Sequence, residues 1–305
     1  MNQFGLMVGL DKKNAFEGWF VKVYSKKNEL MFSVIWGYST NENNKHGFIQ
    51  FQNNLTHDTA YVSYPFSEVG FSENPFILKI GDNELSKNKM ILNFETNNLK
   101  IKSKIFFGDF QVLKTSFLKP NIMGVLTYFP NECNHSIISM KHSVDGKIKI
   151  GPSIYNINNA VGYIEKDWGT SFPKNYVWLQ ANDWKDSAVV FSYATVPILG
   201  RYGKGFFLVL HHNKKEYRFS SIELSFLEYF QVSKDSFKAI IKKGDISVCI
   251  KAKQLNPVSL ASPKKGEMNS LIKESLDGIL KLTLKIKNKK VIELFTNKAS
   301  IDVHF

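Results

Sequence analysis

The chain has 305 residues, enough for about two domains at roughly 150 residues each. Hydrophobic residues at 43% and charged residues at 22% are an ordinary globular composition, which excludes a disordered chain and leaves material for a core without disulfide or metal staples. The net charge of +13 is carried almost wholly by lysine, the arginines being Arg201 and Arg218. A sequence-specific reader of nucleic acid uses arginine forks, so nucleic acid is not an expected partner.

The lysines read either as a solvated coat or as a source of weak attraction to an anionic membrane surface. No run approaches the length of an apolar transmembrane helix, and Met1 to Leu10 lacks the pattern of a signal peptide. Cys133 and Cys249 make no disulfide framework and fit a reducing cytosol. The expected location is cytoplasmic, with or without peripheral membrane contact. The oligomeric state is not legible.

The dominant period along the chain is two, the signature of half-buried strands. In chain order, strands are predicted at 16–23, 31–38, 47–51, 59–65, 89–95, 99–106, 124–129, 137–144, 177–182, 189–194, 206–210, 217–226, 237–241, 246–252, 280–286, 291–295 and 301–305. Asn288 and Lys289 turn one of these into the next as a hairpin. Helical signal is confined to a turn or two at 66–71 and at 268–274. The polar, Asn-rich stretch from Gly151 to Gly162 is the predicted boundary, giving domains 1–155 and 156–305. The fold class is therefore all-β, built as sandwiches or barrels. The 25 phenylalanines serve either as core filling or as the lining of an apolar ligand cavity.

The densest chemistry lies in GYIEKDWGTSFP, residues 162–173. On an extended backbone Glu165 and Asp167 share one side, roughly 7 Å apart, while Lys166 and Trp168 share the other. Two carboxylates at that range raise one pKa and supply a proton donor near neutral pH; the alternative is an ion pair at a strand end. The next strand alternates Tyr176, Trp178, Gln180 and Asn182 with small apolar residues, either lining a cavity or facing solvent. A third segment runs from Pro130 through Glu132, Cys133 and His135 to His142. Its spacing argues against a metal, since Glu132 and His142 would sit about 33 Å apart along a strand. His135 is instead a hydrogen-bonding or proton-handling group, or a satisfied turn histidine. His211 and His212 read as surface. Nucleotide-binding and standard hydrolase motifs are missing.

The run 162–173 resembles the signature of the tocopherol cyclase family. FEGWFVK at 16–22, NIMG at 121–124, the 130–135 segment, SMKHS at 139–143, WLQAN at 178–182, EYRF at 216–219, ASPKKGEM at 261–268 and KESL at 273–276 resemble further family elements in the right order. Asp183 departs from the histidine expected there. The resemblance implies two lipocalin-like antiparallel β-barrels related to carotenoid hydratases and to AttH-like proteins. It also implies a cofactor-independent enzyme that protonates a prenyl-chain alkene of a prenylated quinol and closes a chromanol-type ring. The alternative is a non-catalytic carrier of an isoprenoid or lipid. On the enzyme reading, Asp167 is the acid and Glu165 raises its pKa or relays the proton. Glu132 and His135 handle the phenol proton or donate hydrogen bonds. Trp19, Trp168, Phe172, Tyr176, Trp178, Gln180 and Asn182 line the cavity. No metal or cofactor is expected.

Overall fold

A computed structural model describes residues 3–129, 131–198 and 201–305. Pro130, part of the central segment above, and Met1 lie outside them. Period-two alternation yields two antiparallel sheets, one 12-stranded and one 10-stranded. Among the described residues no helix is long and apolar enough to cross a membrane.

The chain divides into two compact units: Met1–Phe172 with Leu260–Leu271, and Pro173–Ser259 with Ile272–Phe305. The boundary predicted at 155/156 therefore moves. The Asn-rich stretch is a turn inside the first sheet, where Ser153–Asn156 folds back on residues 147–150. The strand that follows, Ala160–Gly169, is hydrogen-bonded on one side to Phe16–Ser25 and on the other to Cys133–Ile150. A strand paired on both edges belongs to the sheet that pairs it. The hairpin tip at 260–271 joins the same unit. Gln50 accepts from the Ala261 amide at 2.7 Å and donates to its carbonyl at 3.2 Å.

In the first unit the inward residues of successive strands make one core, including Trp19, Val21, Phe32, Val34, Trp36, Phe51 and Ile164. The two ends of this sheet approach each other. A Cβ on Gly47 would lie 2.5 Å from the Val69 side chain. The second unit has its own core, with Val177, Leu179, Phe191, Leu208, Ile250, Leu282 and Ile301.

Local sequence misleads at several places. Residues 124–129, predicted as a strand, form the 3-10 turn Gly124–Tyr128. Asn121 drives this: its carbonyl oxygen accepts from the Met123 amide at 2.8 Å and its amide donates to Thr127 Oγ1 at 2.6 Å. Such side-chain bonds compete with a strand ladder. Residues 66–71 split into the 3-10 turn Phe66–Glu68 and the strand Val69–Glu73. Residues 268–274 are extended within Glu267–Ile286, paired against the Val258–Lys264 strand. Sheet pairing overrides a short helical pattern there.

On the core side of the first sheet lies an ion pair. Lys166 Nζ donates to Glu17 Oε1 at 2.8 Å, and both side chains are fully buried. Glu17 also accepts from the Met7 amide at 2.9 Å, the Val8 amide at 3.0 Å and Tyr38 OH at 2.7 Å. Lys166 donates further to the Gly5 carbonyl at 2.5 Å and sits 5.2 and 5.1 Å from the Trp19 and Trp168 rings. Burial pulls the Lys166 ammonium pKa down and Glu17 opposes that pull. The pair ties the N-terminal segment and the motif strand to one point.

Removing one partner strands the other charge in an apolar site, which costs about 3–5 kcal/mol. Lys166→Met is therefore expected to lower the urea midpoint sharply at pH 7. The double variant Glu17→Gln/Lys166→Met recovers most of the loss. A single variant as stable as wild type would refute this role.

Candidate functional site

The Ala160–Gly169 strand sends alternate side chains to opposite faces. Ile164 and Lys166 face the core with Trp19, while Tyr163, Glu165 and Asp167 face the other way. Register sets Gly18 and His135 directly beside Asp167 on the two neighbouring strands, and Phe20 and Ile137 beside Glu165. His135 thus reaches both carboxylates: Nδ1 lies 2.8 Å from Asp167 Oδ1 and Nε2 lies 3.3 Å from Glu165 Oε2. Tyr163 OH donates to Glu165 Oε2 at 2.5 Å. Glu165 is buried and Asp167 keeps partial exposure.

Electrostatics follow from this placement. Burial pushes the His135 pKa down, but Glu165 and Asp167 outweigh it and carry the imidazole up to about 9. At neutral pH the histidine is a cation held between two carboxylates. The expectation that Glu165 and Asp167 act on each other as bare like charges gives way to this shared partner. Burial and the nearby carboxylates push the Cys133 thiol well up, so it is a poor nucleophile. The same donor types, one imidazole and two carboxylates within 4.8 Å of one another, are those a divalent cation accepts. A metal ion would need the ring nitrogen that a proton on His135 occupies, so the two would exclude each other at this trio.

A loop holds the end of the motif. Gly169 has φ +152°, and a Cβ there would lie 2.1 Å from the Glu132 carbonyl oxygen. That carbonyl accepts from the Thr170 and Ser171 amides at 2.7 and 3.1 Å. Only glycine lets the two backbones approach this closely. Glu132 contributes its backbone; its side chain is exposed.

The other expected residues fall elsewhere. Trp19 is in the first core, its indole donating to the Phe4 carbonyl at 3.2 Å. Trp168 lies on the same face as Lys166, opposite the His135 trio. Phe172 packs edge-on against Phe16, ring centroids 5.5 Å apart. His142 is buried beside Phe107 and Phe110, accepts or donates at Ser139 Oγ, 2.9 Å away, and burial pushes its pKa down to about 3. His211, read as surface, is buried and paired with Glu216 at 3.1 Å.

In the second unit Val177, Leu179 and Ala181 enter the core, so Tyr176, Trp178 and Gln180 occupy the opposite face of their strand. All three are buried, as is Asn182 just beyond the strand. The adjoining Asp183 accepts from Thr296 Oγ1 at 2.8 Å. Sequence reasoning missed Asp302. It stands opposite Trp178 and Glu274 in register, 3% exposed, and accepts from Tyr176 OH. Its Oδ1 has no partner among the described residues. Burial raises its pKa to about 7, with the Tyr176 hydrogen bond opposing. A buried acid with a raised pKa thus exists in the chain, at 302. The available signal was a charged residue inside the alternating run 301–305.

A family model described as tocopherol cyclase-like matches residues 115–304. No curated protein sequence matches the chain. Among solved structures, CghA is similar with TM-score 0.61 at 7% identity, covering 95% of this chain and 88% of that one. Kievitone hydratase from Nectria haematococca gives TM-score 0.54 at 11% identity over 94% of this chain and 88% of that one. A putative AttH from Nitrosomonas europaea gives 0.53 at 11% identity, over 94% of this chain and 91% of that one. At such identities these likenesses establish the fold: the two sheets have the architecture of AttH-like and hydratase lipocalin-like proteins.

The geometry sets two pH windows of opposite sign. His135 has a folded pKa above its ordinary 6.5, so its stabilisation is complete below about 6.5 and is lost as pH rises through about 9. His142 has a folded pKa below 6.5, so stability is lost as pH falls from 6.5 toward 3. NMR titration of the histidines is expected to show His135 titrating near 9, and much lower in Glu165→Gln/Asp167→Asn. An unshifted His135 in that double variant would remove the carboxylates as the cause.

Proposed function

The chain belongs to the tocopherol cyclase-like family, and from that premise we propose that it protonates an alkene of an isoprenoid chain, leading to cyclisation or hydration. The observation that carries this reading is the imidazole of His135 set between Glu165 and Asp167 on the strand bearing the family motif. Isoprenoid alkenes need a proton and a site that tolerates the resulting tertiary cation. The trio stores a proton between three groups and retains net negative charge once it has given one up. Asp167, the partly exposed carboxyl that faces substrate, relays the proton that His135 holds.

The step balances without redox chemistry. The proton adds to one alkene carbon and leaves a tertiary cation on the other. A hydroxyl oxygen of the substrate or of water then bonds to that cation, and its proton returns to the carboxylate. Capture by a phenol oxygen closes a chromanol-type ring and leaves the mass unchanged; capture by water adds one water. A prenylated quinol is the proposed substrate for ring closure. That one structural neighbour is named a hydratase supports the water branch as well.

The test is chromatography with mass spectrometry on purified protein incubated with prenylated hydroquinols and acyclic carotenoid precursors. Asp167→Asn and Glu165→Gln are each expected to cut turnover about 100-fold or more. Turnover should fall as pH rises through about 9, where His135 loses its proton. A chelator should leave it unchanged. Loss of turnover in Asp302→Asn with full activity in Asp167→Asn would move the acid to the second sheet. Saturable binding of isoprenoid with no product, indifferent to the carboxylate variants, would replace the enzyme with a carrier.

A further inference from the structure

The outward face of the second sheet carries a row of like charges. Lys238, Lys251 and Lys281 are direct cross-strand partners on three adjacent strands, and Phe295 stands next in the same row. Lys253 flanks the row, opposite Ser236 and Ile279. These residues line a groove of about 460 Å³. Like charges directly opposite each other destabilise a sheet. Their compensation is thin. Lys281 lies 3.5 Å from Glu293, which Lys290 also holds at 2.6 Å, and Lys253 lies 3.7 Å from Asp235. Lys238 caps the Tyr229 ring at 5.0 Å. Lys251 has no ion pair among the described residues.

Apolar side chains stand in water beside these charges: Phe295 is 64% exposed and Tyr229 40%. The alternating inward residues on the same strands, Ala239, Ile250, Leu282 and Leu294, fill the core, so strand register places the lysines and Phe295 outward. A surface that combines thinly compensated ammonium groups with exposed rings complements an amphiphile rather than a bare polyanion. Lysines serve as point charges for phosphate and carboxylate headgroups, and aromatic side chains settle at the membrane interface.

We propose that this face of the second sheet docks on an anionic lipid bilayer, with Lys238, Lys251, Lys253 and Lys281 on the headgroups and Phe295 in the interface. Docking needs no catalysis and stands apart from the chemistry assigned to the first sheet.

The experiment is vesicle flotation of the full chain, without substrate. Wild type should float with phosphatidylcholine vesicles containing phosphatidylserine, less so as salt rises, and not with phosphatidylcholine alone. Lys238→Gln/Lys251→Gln/Lys281→Gln should bind about a hundredfold more weakly. Phe295→Ser should also weaken binding. A charge-matched control, Lys12→Gln/Lys87→Gln/Lys102→Gln at exposed positions of the first unit, should float like wild type. The triple groove variant should keep or raise the thermal midpoint without vesicles, because it relieves repulsion between neighbours. Wild-type flotation of the groove variant would overturn the proposal, as would equal loss in the control. Lysine-dependent binding of a short RNA, with no flotation on anionic vesicles, would also overturn it.

Discussion

The buried Glu17–Lys166 pair is the constraint on which the first unit depends. Its two charges have no access to water, so each must be satisfied by the other and by fixed donors and acceptors. Those partners come from the Gly5 to Val8 segment, from Tyr38 and from the motif strand. Any slip of that strand by one residue would drive Lys166 out and bring Glu165 or Asp167 into the core. The pair therefore fixes register as well as position.

The chemistry on the opposite face inherits that register. With Lys166 inward, Glu165 and Asp167 face outward, and the neighbouring strand delivers His135 between them. The strand bearing His135 shifts register between Ile137 and Ser139 and again before His142. Two histidines seven residues apart on this strand meet opposite fates. His135 becomes a cation among carboxylates, and His142 stays neutral among phenylalanine rings in the space that Gly162 leaves open.

The second sheet uses the same alternation for different ends. Its core rows are aliphatic. One outward region buries Tyr176, Trp178, Gln180 and Asp302, and another carries the exposed lysine row. Glu17 and Asp302 show two ways of placing a carboxyl group out of water. One is surrounded by donors. The other has few, and burial raises its pKa.

Periodicity by itself determined the all-β class and most strand positions, because a side-chain period of two is a property of the local backbone. It also placed Glu165 with Asp167 and Lys166 with Trp168, since parity along one strand needs no knowledge of its neighbours. The domain boundary, the turn at Gly124–Tyr128 and the extended hairpin at 267–286 needed the tertiary structure, because pairing partners distant in sequence decide them. The same holds for the site. Which histidine meets the two carboxylates is set by register between strands 32 residues apart in sequence. The partnering of Asp302 with Tyr176 and the sequestering of Trp19 in the core are likewise cross-strand facts. Single-strand alternation records the face a side chain takes, and only the folded sheet decides what waits there.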